Sequence, residues 1–485
     1  LRRWLLGAEG GRSRARGLKR RLEELVAGRP ELEQPLDRAL SAARALPGPG
    51  WQTRIFADTG SPDLGGLVPG RQNATEALLR AARAQVLARA RDADSASSLE
   101  CDLHPPTDAL AAAAADLAPA LGALVTALRA LIDKLTARMD DEAEEMDEAT
   151  RSRIEGACRA LRRRALDRLL AWTAMLRQVE ETPGEPGSRP QHVTFLRLER
   201  RDGGGRGAAR DADVGLHRHW LDPTVPFMAT IAAPAHGILV TSATLRDGGE
   251  ADAEAAWRAA EGRVGAPHLP SPALRVAVLS PFDYAAQTRA FVVTDLDPRD
   301  IEATATAYRT LFKASGGGAL GLFTAIHRLR AVHARIAPAL EASGIPLYAQ
   351  HVDAMDNATL VDVFRTEEES CLLGTDAMRD GVDVPGRALR LVVFERVPWT
   401  RPDILHRERR VHLGEGDPGR FDDRLVRLRL RQAFGRLIRA STDRGVFVLL
   451  DRRTPTRLLS AFPPGVQVHR VGLARAAAEI AGFLC

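Results

Sequence analysis

The sequence predicts an α/β protein, with a parallel-sheet lobe in the C-terminal half and a mostly helical N-terminal region. After residue 265, short apolar runs alternate with longer amphipathic stretches, as in a parallel sheet that carries helices on both faces. Before residue 190, apolar residues recur every three or four positions over long distances, which indicates packed helices.

Short apolar runs predict the strands of the C-terminal lobe. The predicted helices between them include Ile301–Phe312 and Ala325–Leu340. Because parallel strands end at one edge of a sheet, where α/β proteins bind ligands, we expect the functional loops at the carboxyl edge. The predicted strands are Ala290–Thr294, Ala319–Phe323, Pro346–Gln350, Cys371–Gly374, Leu389–Glu395 and Val446–Asp451.

Two long helices are predicted in the N-terminal region and are expected to pack as an antiparallel hairpin. Apolar residues step by three and four from Leu121 to Leu135 and again from Ile154 to Leu176. The acidic stretch Met139–Glu148 lies between them. We interpret it as a solvated tip or the start of a helix rather than a metal site, because neighbouring carboxylates diverge around a helix.

Composition favours a globular protein of two or three domains. The chain has 485 residues, of which 45% are hydrophobic and 27% are charged. No 18 apolar residues run together and no signal-peptide core is evident, so we expect a cytoplasmic protein without a membrane span. A net charge of +5 leans toward a polyanionic partner. The basic run 12–21 either contacts a nucleic-acid backbone or forms a solvated helix face.

Cysteine and histidine positions predict no metal centre. The four cysteines are far apart and form no C-x-x-C pair, so buried or incidental thiols are expected at Cys101, Cys158, Cys371 and Cys485. His217, His219 and Trp220 are candidates for stacking on a nucleic-acid base. A metal site at the histidines lacks an evident third ligand, and packing at a domain junction is the alternative.

The stretch Arg431–Arg453 carries the candidate catalytic residues. Helical spacing from residue 425 to 439 predicts that Gln432, Arg436 and Arg439 lie on one helix face, at i, i+4 and i+7. Two guanidinium groups on that face suit the stabilisation of γ-phosphate charge in a transition state. The alternative is a structural Arg439 that pairs with Asp443.

Two further motifs surround this stretch in the sequence. Cys371–Gly386, CLLGTDAMRDGVDVPG, is a predicted strand and a glycine-containing loop whose main-chain N–H groups can approach a phosphate. Thr241, Ser242 and Thr244 follow the apolar run GILV, which we predict to be a strand. Their hydroxyl groups can hydrogen-bond a neighbouring carboxylate and relay the state of a nucleotide.

Taken in order, these motifs resemble the XPD-like branch of superfamily 2 helicases, and most closely the DinG type. GILVTSATL resembles motif III, GALGLFTA motif IV, GVDVPG motif V and QAFGRLIR motif VI, and SPFDYAAQ also matches. The chain departs from the family at Met378, Arg379 and Asp380, where the family often has an aromatic residue and Glu. No G-x-x-x-x-G-K-[ST] or D-E-x-H motif occurs. We therefore interpret the sequence as a fragment that begins after the metal-binding motif.

The resemblance implies an ATP-dependent DNA helicase that moves along single-stranded DNA, 5′ to 3′ in the family, in repair or replication. ATP and Mg²⁺ would be held by the missing lobe, and any iron–sulphur cluster would also lie outside this chain. We expect a monomer that binds single-stranded or forked DNA and no membrane. The alternatives are a translocase that does not separate strands and a non-enzymatic single-strand-binding protein.

The resemblance also implies roles for individual residues and a division into three segments. Residues 1–190 would be an arch-like helical insertion, 191–264 the end of the first RecA-like lobe with motif III, and 265–485 the second RecA-like lobe. Gln432, Arg436 and Arg439 would act on the nucleotide, with Thr241, Ser242 and Thr244 as coupling residues. Nucleotide binding is expected at Gly381, Asp383 and Gly435, and nucleic-acid binding at Thr324, Gly374, Thr375 and Trp220.

Overall fold

The computed structural model divides into two compact units. It describes residues 1–7, 17–56, 73–90, 92, 98–181, 190–201, 210–250, 252–375, 378, 384, 386–414 and 416–484. The first unit comprises Leu1–Leu221 with Asp403–Glu408, and the second comprises Asp222–Pro402 with Arg409–Cys485.

The first unit is mostly helical and contains a three-stranded antiparallel sheet. Strand β1 (Leu99–Asp102) pairs with β2 (His192–Arg201), which pairs with β3 (Arg210–Trp220). The segment Asp403–Glu408 joins this unit because the Ile404 N–H donates to the Glu100 carboxylate at 3.0 Å. The helices are Arg2–Leu6, Leu18–Val26, Pro30–Ala42, Trp51–Phe56, Ala74–Arg89, Asp108–Asp141, Glu148–Leu161 and Asp167–Glu180, with a π turn at Arg162–Leu166.

The long helix Asp108–Asp141 forms the centre of this unit. Its Thr107 cap accepts a hydrogen bond from the Leu110 N–H at 3.4 Å. An 18-residue window has a mean hydropathy of 1.6, so by length and composition alone the helix could cross a membrane. Its buried residues, however, recur at helical spacing and pack on neighbouring helices, including Pro30–Ala42 and Ala74–Arg89. That pattern is typical of a core helix.

Contacts divide the chain after Leu221, whereas the sequence predicted a boundary at residue 190. The difference arises because β2 and β3 pair with β1, and β1 belongs to the helical unit. Assignment of the predicted segments to an arch and two lobes stays a prediction.

The second unit contains a seven-stranded parallel sheet with helices on both faces, which confirms the predicted α/β class. The strand order is β10-β4-β9-β8-β5-β7-β6. Consecutive residues of β4 point to opposite faces of the sheet. Val292 belongs to the hydrophobic core on one face, and Val293 belongs to the core on the other. The strands are β4 Thr288–Val293, β5 Ala319–Leu322, β6 Leu347–Ala349, β7 Cys371–Gly374, β8 Leu391–Phe394, β9 Gly445–Leu449 and β10 Val468–Val471.

The helices of the second unit connect these strands. The two helices predicted at Ile301–Phe312 and Ala325–Leu340 are present and extend over Ile301–Ser315 and Ile326–Glu341. The others are Thr224–Phe227 (followed by a π turn at Met228–Ala232), Ala253–Val264, Tyr284–Gln287, Asn357–Thr366, Ile404–His412 (which begins in the segment assigned to the first unit), Pro418–Phe434 and Leu473–Leu484.

The run Gly237–Val240 was predicted to be a strand, and this prediction is wrong for the structure. The run lies outside any helix or strand, and the Leu239 side chain is 88% exposed. A strand needs a neighbour for its main-chain N–H and C=O groups, and none of the strands in the described part of the chain pairs with this run.

Candidate nucleotide and nucleic-acid site

The helix that carries Gln432 is shorter than its sequence predicts. It begins at Pro418, where the Asp417 side chain accepts from the Arg420 N–H at 3.0 Å, and it ends at Phe434. Arg436 and Arg439 therefore lie in the turns that follow, and the prediction of one shared helix face is wrong. Beyond the helix, buried Leu437 packs beside Gly445, where a Cβ would lie only 2.6 Å from the Leu437 Cβ.

Two side chains hold the arginine turn, which we define as residues 435–443. The Asp443 carboxylate accepts from the N–H groups of Arg439 and Ala440, both at 2.8 Å. The Gln287 amide donates to the carbonyls of Ala440 at 2.9 Å and Asp443 at 3.0 Å, and Gln287 is buried. Sequence reasoning missed this role of Gln287, although the residue ends the matched stretch SPFDYAAQ. The turn is thus shaped before any ligand binds, with Arg436 and Arg439 half-buried.

The arginine turn lies at the amino edge of the sheet. It leads into β9, and Gln287 immediately precedes β4, whose Thr288 is in register with Gly445. Thr324 and Thr375 instead follow β5 and β7 at the carboxyl edge. The expectation that all functional loops share the carboxyl edge is therefore wrong for the arginines.

At the carboxyl edge, the structure brings Thr324 and Thr375 onto neighbouring strands. Leu322 of β5 is in register with Gly374 of β7, so the two threonines follow adjacent strand ends. Thr375 donates from both its N–H (2.9 Å) and its hydroxyl (2.8 Å) to the buried Gln350 side chain. Thr324 is exposed.

Close packing explains the glycine at position 374. A Cβ there would lie 2.4 Å from the Met378 Cγ, so a larger residue would displace the loop after β7. Gly435 has an ordinary helical φ of −61° and needs no special backbone freedom. Gly381 and Asp383, predicted to contact the nucleotide, lie outside the described residues.

A buried ion pair fixes the loop that contains Thr324. Glu395, at the end of β8, is fully buried and pairs with Arg328 in the first turn of Ile326–Glu341. Arg328 also donates to the Pro298 carbonyl at 2.7 Å. The chain on either side of Thr324 is thereby tied to the strand ends.

The predicted coupling residues form a small hydrogen-bonded turn. The Thr244 N–H donates to the Ser242 hydroxyl at 3.1 Å, and the two hydroxyl oxygens lie 3.0 Å apart. Thr241 and Ser242 are exposed, and Thr244 is half-buried.

Comparison with known proteins covers most of these residues. Residues 308–467 match the model of the helicase C-terminal domain, a range that includes the carboxyl-edge threonines and the arginine turn. The ATP-dependent helicase DinG of Mycobacterium tuberculosis H37Rv is 35% identical over 254 residues, which are 49% of this chain and 36% of that protein. Over about half of its length, the chain is similar to DinG-type helicases. The resemblance seen in the motifs is confirmed.

Other relatives of this chain carry different names. The Bacillus subtilis protein named 3′-5′ exonuclease DinG is 28% identical over 50% of this chain and 26% of its own length. The ATP-dependent DNA helicase YoaA of Escherichia coli is 29% identical over 40% of this chain and 32% of its own length. The matched part of the chain spans only about a quarter to a third of the length of these relatives.

Solved structures similar to this chain include an XPD helicase. The match has a TM-score of 0.40 and 12% sequence identity, and it covers 71% of this chain and 61% of the XPD chain. S. cerevisiae Dbp5 bound to RNA and ADP BeF3 has a TM-score of 0.31 and 14% identity, over 48% of this chain and 53% of that chain.

The remaining candidate site residues are aromatic and histidine side chains of the first unit and the cysteines. Trp220 ends β3, and its ring centroid lies 3.9 Å from that of His192. His217 and His219 stack with centroids 6.1 Å apart, and burial lowers the pKa of His217. Cys101, Cys158 and Cys371 are buried, and Cys485 lies outside the described residues. Within the described ranges, no three His, Cys, Asp or Glu side chains are arranged to hold a metal ion.

Proposed function

We propose that this chain is part of an ATP-dependent DNA helicase of the DinG type. It would comprise the arch-like insertion, the last strands of the first RecA-like lobe and the second lobe, and the rest of the first lobe would hold ATP and Mg²⁺. The arginine turn carries the proposal. It holds two arginines in a preformed geometry inside a helicase C-terminal domain, and its guanidinium groups match the oxygens of a γ-phosphate. Relatives named ATP-dependent helicases support this assignment.

In this proposal the arginines act when the two lobes close on a nucleotide. A guanidinium group that meets the γ-phosphate mainly in the transition state lowers the barrier to hydrolysis. Asp443 and Gln287 contribute by holding the turn in advance, so that little reorganisation is needed at that moment.

The carboxyl edge would hold the phosphates of the tracking strand. The exposed Thr324 hydroxyl is available for such a contact, whereas Thr375 must exchange Gln350 for a phosphate oxygen. The proposal includes a monomer that acts on single-stranded or forked DNA and moves 5′ to 3′. Partial duplexes with either a 5′ or a 3′ tail would test the direction.

Exposed strand-like segments support the proposal of a missing lobe. Residues 274–279, LRVAVL, form a short and mostly apolar run of the kind that makes a buried strand, yet Leu274 is 99% exposed and Val278 is 89% exposed. Leu239, in the run before Thr241, is also largely exposed. Monomeric proteins rarely leave contiguous apolar surface in water. We propose that both runs become strands in the sheet of the first lobe, which places the boundary between the lobes after residue 279 rather than at the predicted residue 265.

The complete gene product is the material for the test. The proposal predicts DNA-stimulated ATP turnover together with ATP-dependent unwinding of a forked duplex. Turnover without unwinding would indicate a translocase, and binding without turnover would indicate a single-strand-binding protein. Residues 1–485 alone should show no appreciable turnover because half of the composite site is missing. DNA-stimulated turnover by residues 1–485 would contradict the account of the missing lobe.

A further inference from the structure

Four arginines line one face of the helix Pro418–Phe434. Arg420, Arg424, Arg427 and Arg431 follow one another at intervals of four, three and four residues, which keeps them on one side of a helix. The segment Asp247–Glu250, with sequence DGGE, lies on this face. We call it the DGGE segment. It begins three residues after Thr244.

Asp247 anchors the beginning of the DGGE segment. Arg427 Nε donates to Asp247 Oδ1 at 2.9 Å, and Nη2 donates to Oδ2 at 2.5 Å, so the contact is bidentate. The Asp247 side chain is only 7% exposed, and the Arg427 side chain is 6% exposed. Burial alone would raise the pKa of Asp247, but the hydrogen bonds and charge of Arg427 hold that pKa below its usual value.

Glu250 anchors the end of the DGGE segment. Its carboxylate is 1% exposed, accepts from Arg424 Nε at 2.8 Å and also pairs with Arg420. Arg431 adds a contact just before the segment, where Nη1 donates to the Arg246 carbonyl at 2.7 Å. The four arginines of the face are therefore all engaged by residues 246–250.

The two glycines allow this close approach. A Cβ at position 249 would lie 2.3 Å from the Arg427 Cζ, and a Cβ at position 248 would lie 2.5 Å from the Ser460 carbonyl oxygen. Any larger residue at either position would push the segment off the helix. The sequence of the DGGE segment therefore matches the arginine face closely. A flexible linker, in contrast, would accept larger residues at both glycine positions.

We propose that the DGGE segment is a latch that positions the TSAT hydroxyls against the helix leading into the arginine turn. Asp247, Glu250 and Arg427 are then positioning residues that do not touch the nucleotide. Replacing a buried ion pair with apolar residues often leaves stability unchanged. We therefore assign to the Asp247–Arg427 pair the role of fixing one geometry of the segment rather than that of stabilising the fold. The inference rests on the proposed function, because it concerns how the candidate coupling and nucleotide residues act together.

The same contacts have an alternative interpretation. The DGGE segment would be an acidic cover over an arginine face that otherwise binds DNA. The two interpretations predict opposite effects. Opening a latch lowers ATP turnover and leaves DNA affinity nearly unchanged, whereas removing a cover exposes four guanidinium groups and raises DNA affinity.

Two variants of the complete gene product break the latch by different means. Asp247→Asn removes the charge with little change in shape, and Gly249→Ala introduces the clash with Arg427. Gly482→Ala is the matched control, because it lies in the last helix, away from the DGGE segment, and no heavy atom lies within 4 Å of the added Cβ. Circular dichroism of each variant checks that the protein is folded.

DNA-stimulated kcat for ATP and affinity for single-stranded DNA are measured for each protein. We expect Asp247→Asn and Gly249→Ala to lower kcat on the order of 10- to 100-fold, as small misplacements of a reacting site do. DNA affinity should stay within about threefold, and Gly482→Ala should match wild type. Asp247→Asn combined with Arg427→Gln should lose little more than Asp247→Asn alone, because coupled residues are not additive.

Unchanged kcat in both latch variants, higher DNA affinity, or additive losses in the double variant would overturn the latch. A wild-type protein without DNA-stimulated turnover would instead overturn the proposed function, and the latch with it.

Discussion

Removal of Glu395 should destabilise the second unit by about 3–5 kcal/mol. Glu395 is fully buried, and its partner Arg328 is only 13% exposed. Glu395→Ala leaves that guanidinium group in a site with little water, and breaking a buried pair from one side costs an amount of this order. Glu302→Ala is the matched control, because Glu302 also pairs with an arginine, Arg335, but is 70% exposed. Exposed pairs of this kind contribute about 1 kcal/mol or less.

The free energy of unfolding can be measured by hydrogen exchange in denaturant, followed in peptides from β5 and β8. This readout reports the second unit even if the two units unfold separately. Combining Glu395→Leu with Arg328→Met should recover most of the loss, because it removes both charges and keeps the volume. Equal effects of Glu395→Ala and Glu302→Ala, both near 1 kcal/mol, would refute the reasoning.

Three further predictions concern the backbone, pH and salt. Gly317→Ala should destabilise the fold more than Gly344→Ala in denaturant unfolding, since both have positive φ but only at Gly317 would a Cβ lie 1.9 Å from a carbonyl oxygen. At Gly344 the left-handed backbone alone should cost about 1–2 kcal/mol. Because the folded-state pKa values of Asp247 and Glu250 are lowered, their stabilisation is present above the unfolded values of about 3.9 and 4.3. It should be lost as pH falls through the folded values, so the melting temperature of wild type should fall more steeply with acid than that of Asp247→Asn. Residues 1–485 should bind single-stranded DNA weakly and with little sequence preference, with affinity in a fluorescence titration falling steeply as salt rises; salt-insensitive binding would argue against a backbone-tracking surface.

The sheet could be predicted from the sequence because its strands are buried on both faces. Each of the six predicted runs is mostly apolar, and the structure places a strand within every one of them or within two residues of its ends. The seventh strand, Val468–Val471, was missed. It lies at the edge of the sheet and has the sequence VHRV, in which polar residues interrupt the apolar signal. An edge strand has fewer neighbours to bury it, so its pattern is weaker.

The arrangement of the candidate site depends on contacts that local spacing does not contain. Helical spacing continues through Arg439, but the helix ends at Phe434 and the turn beyond it is held by Gln287, more than 150 residues earlier in the chain. The arginine face of Pro418–Phe434 is visible as a pattern in the sequence. Its partner, the DGGE segment, lies 180 residues away from Arg427, and nothing in the local sequence identifies the pairing.

The most direct test of the proposed function is ATP turnover at saturating single-stranded DNA in Arg439 variants of the complete gene product. Arg439→Ala should remove most turnover, since arginines of this kind contribute about 10³ to 10⁵ in rate, and DNA affinity should stay within a few-fold. Arg439→Lys should not rescue turnover, because lysine keeps the charge but loses the planar fork. Arg444→Ala, an exposed arginine just before β9, is the control and should behave as wild type. Near-normal turnover in Arg439→Ala, or an equal collapse of DNA binding, would contradict the catalytic role of the arginine turn.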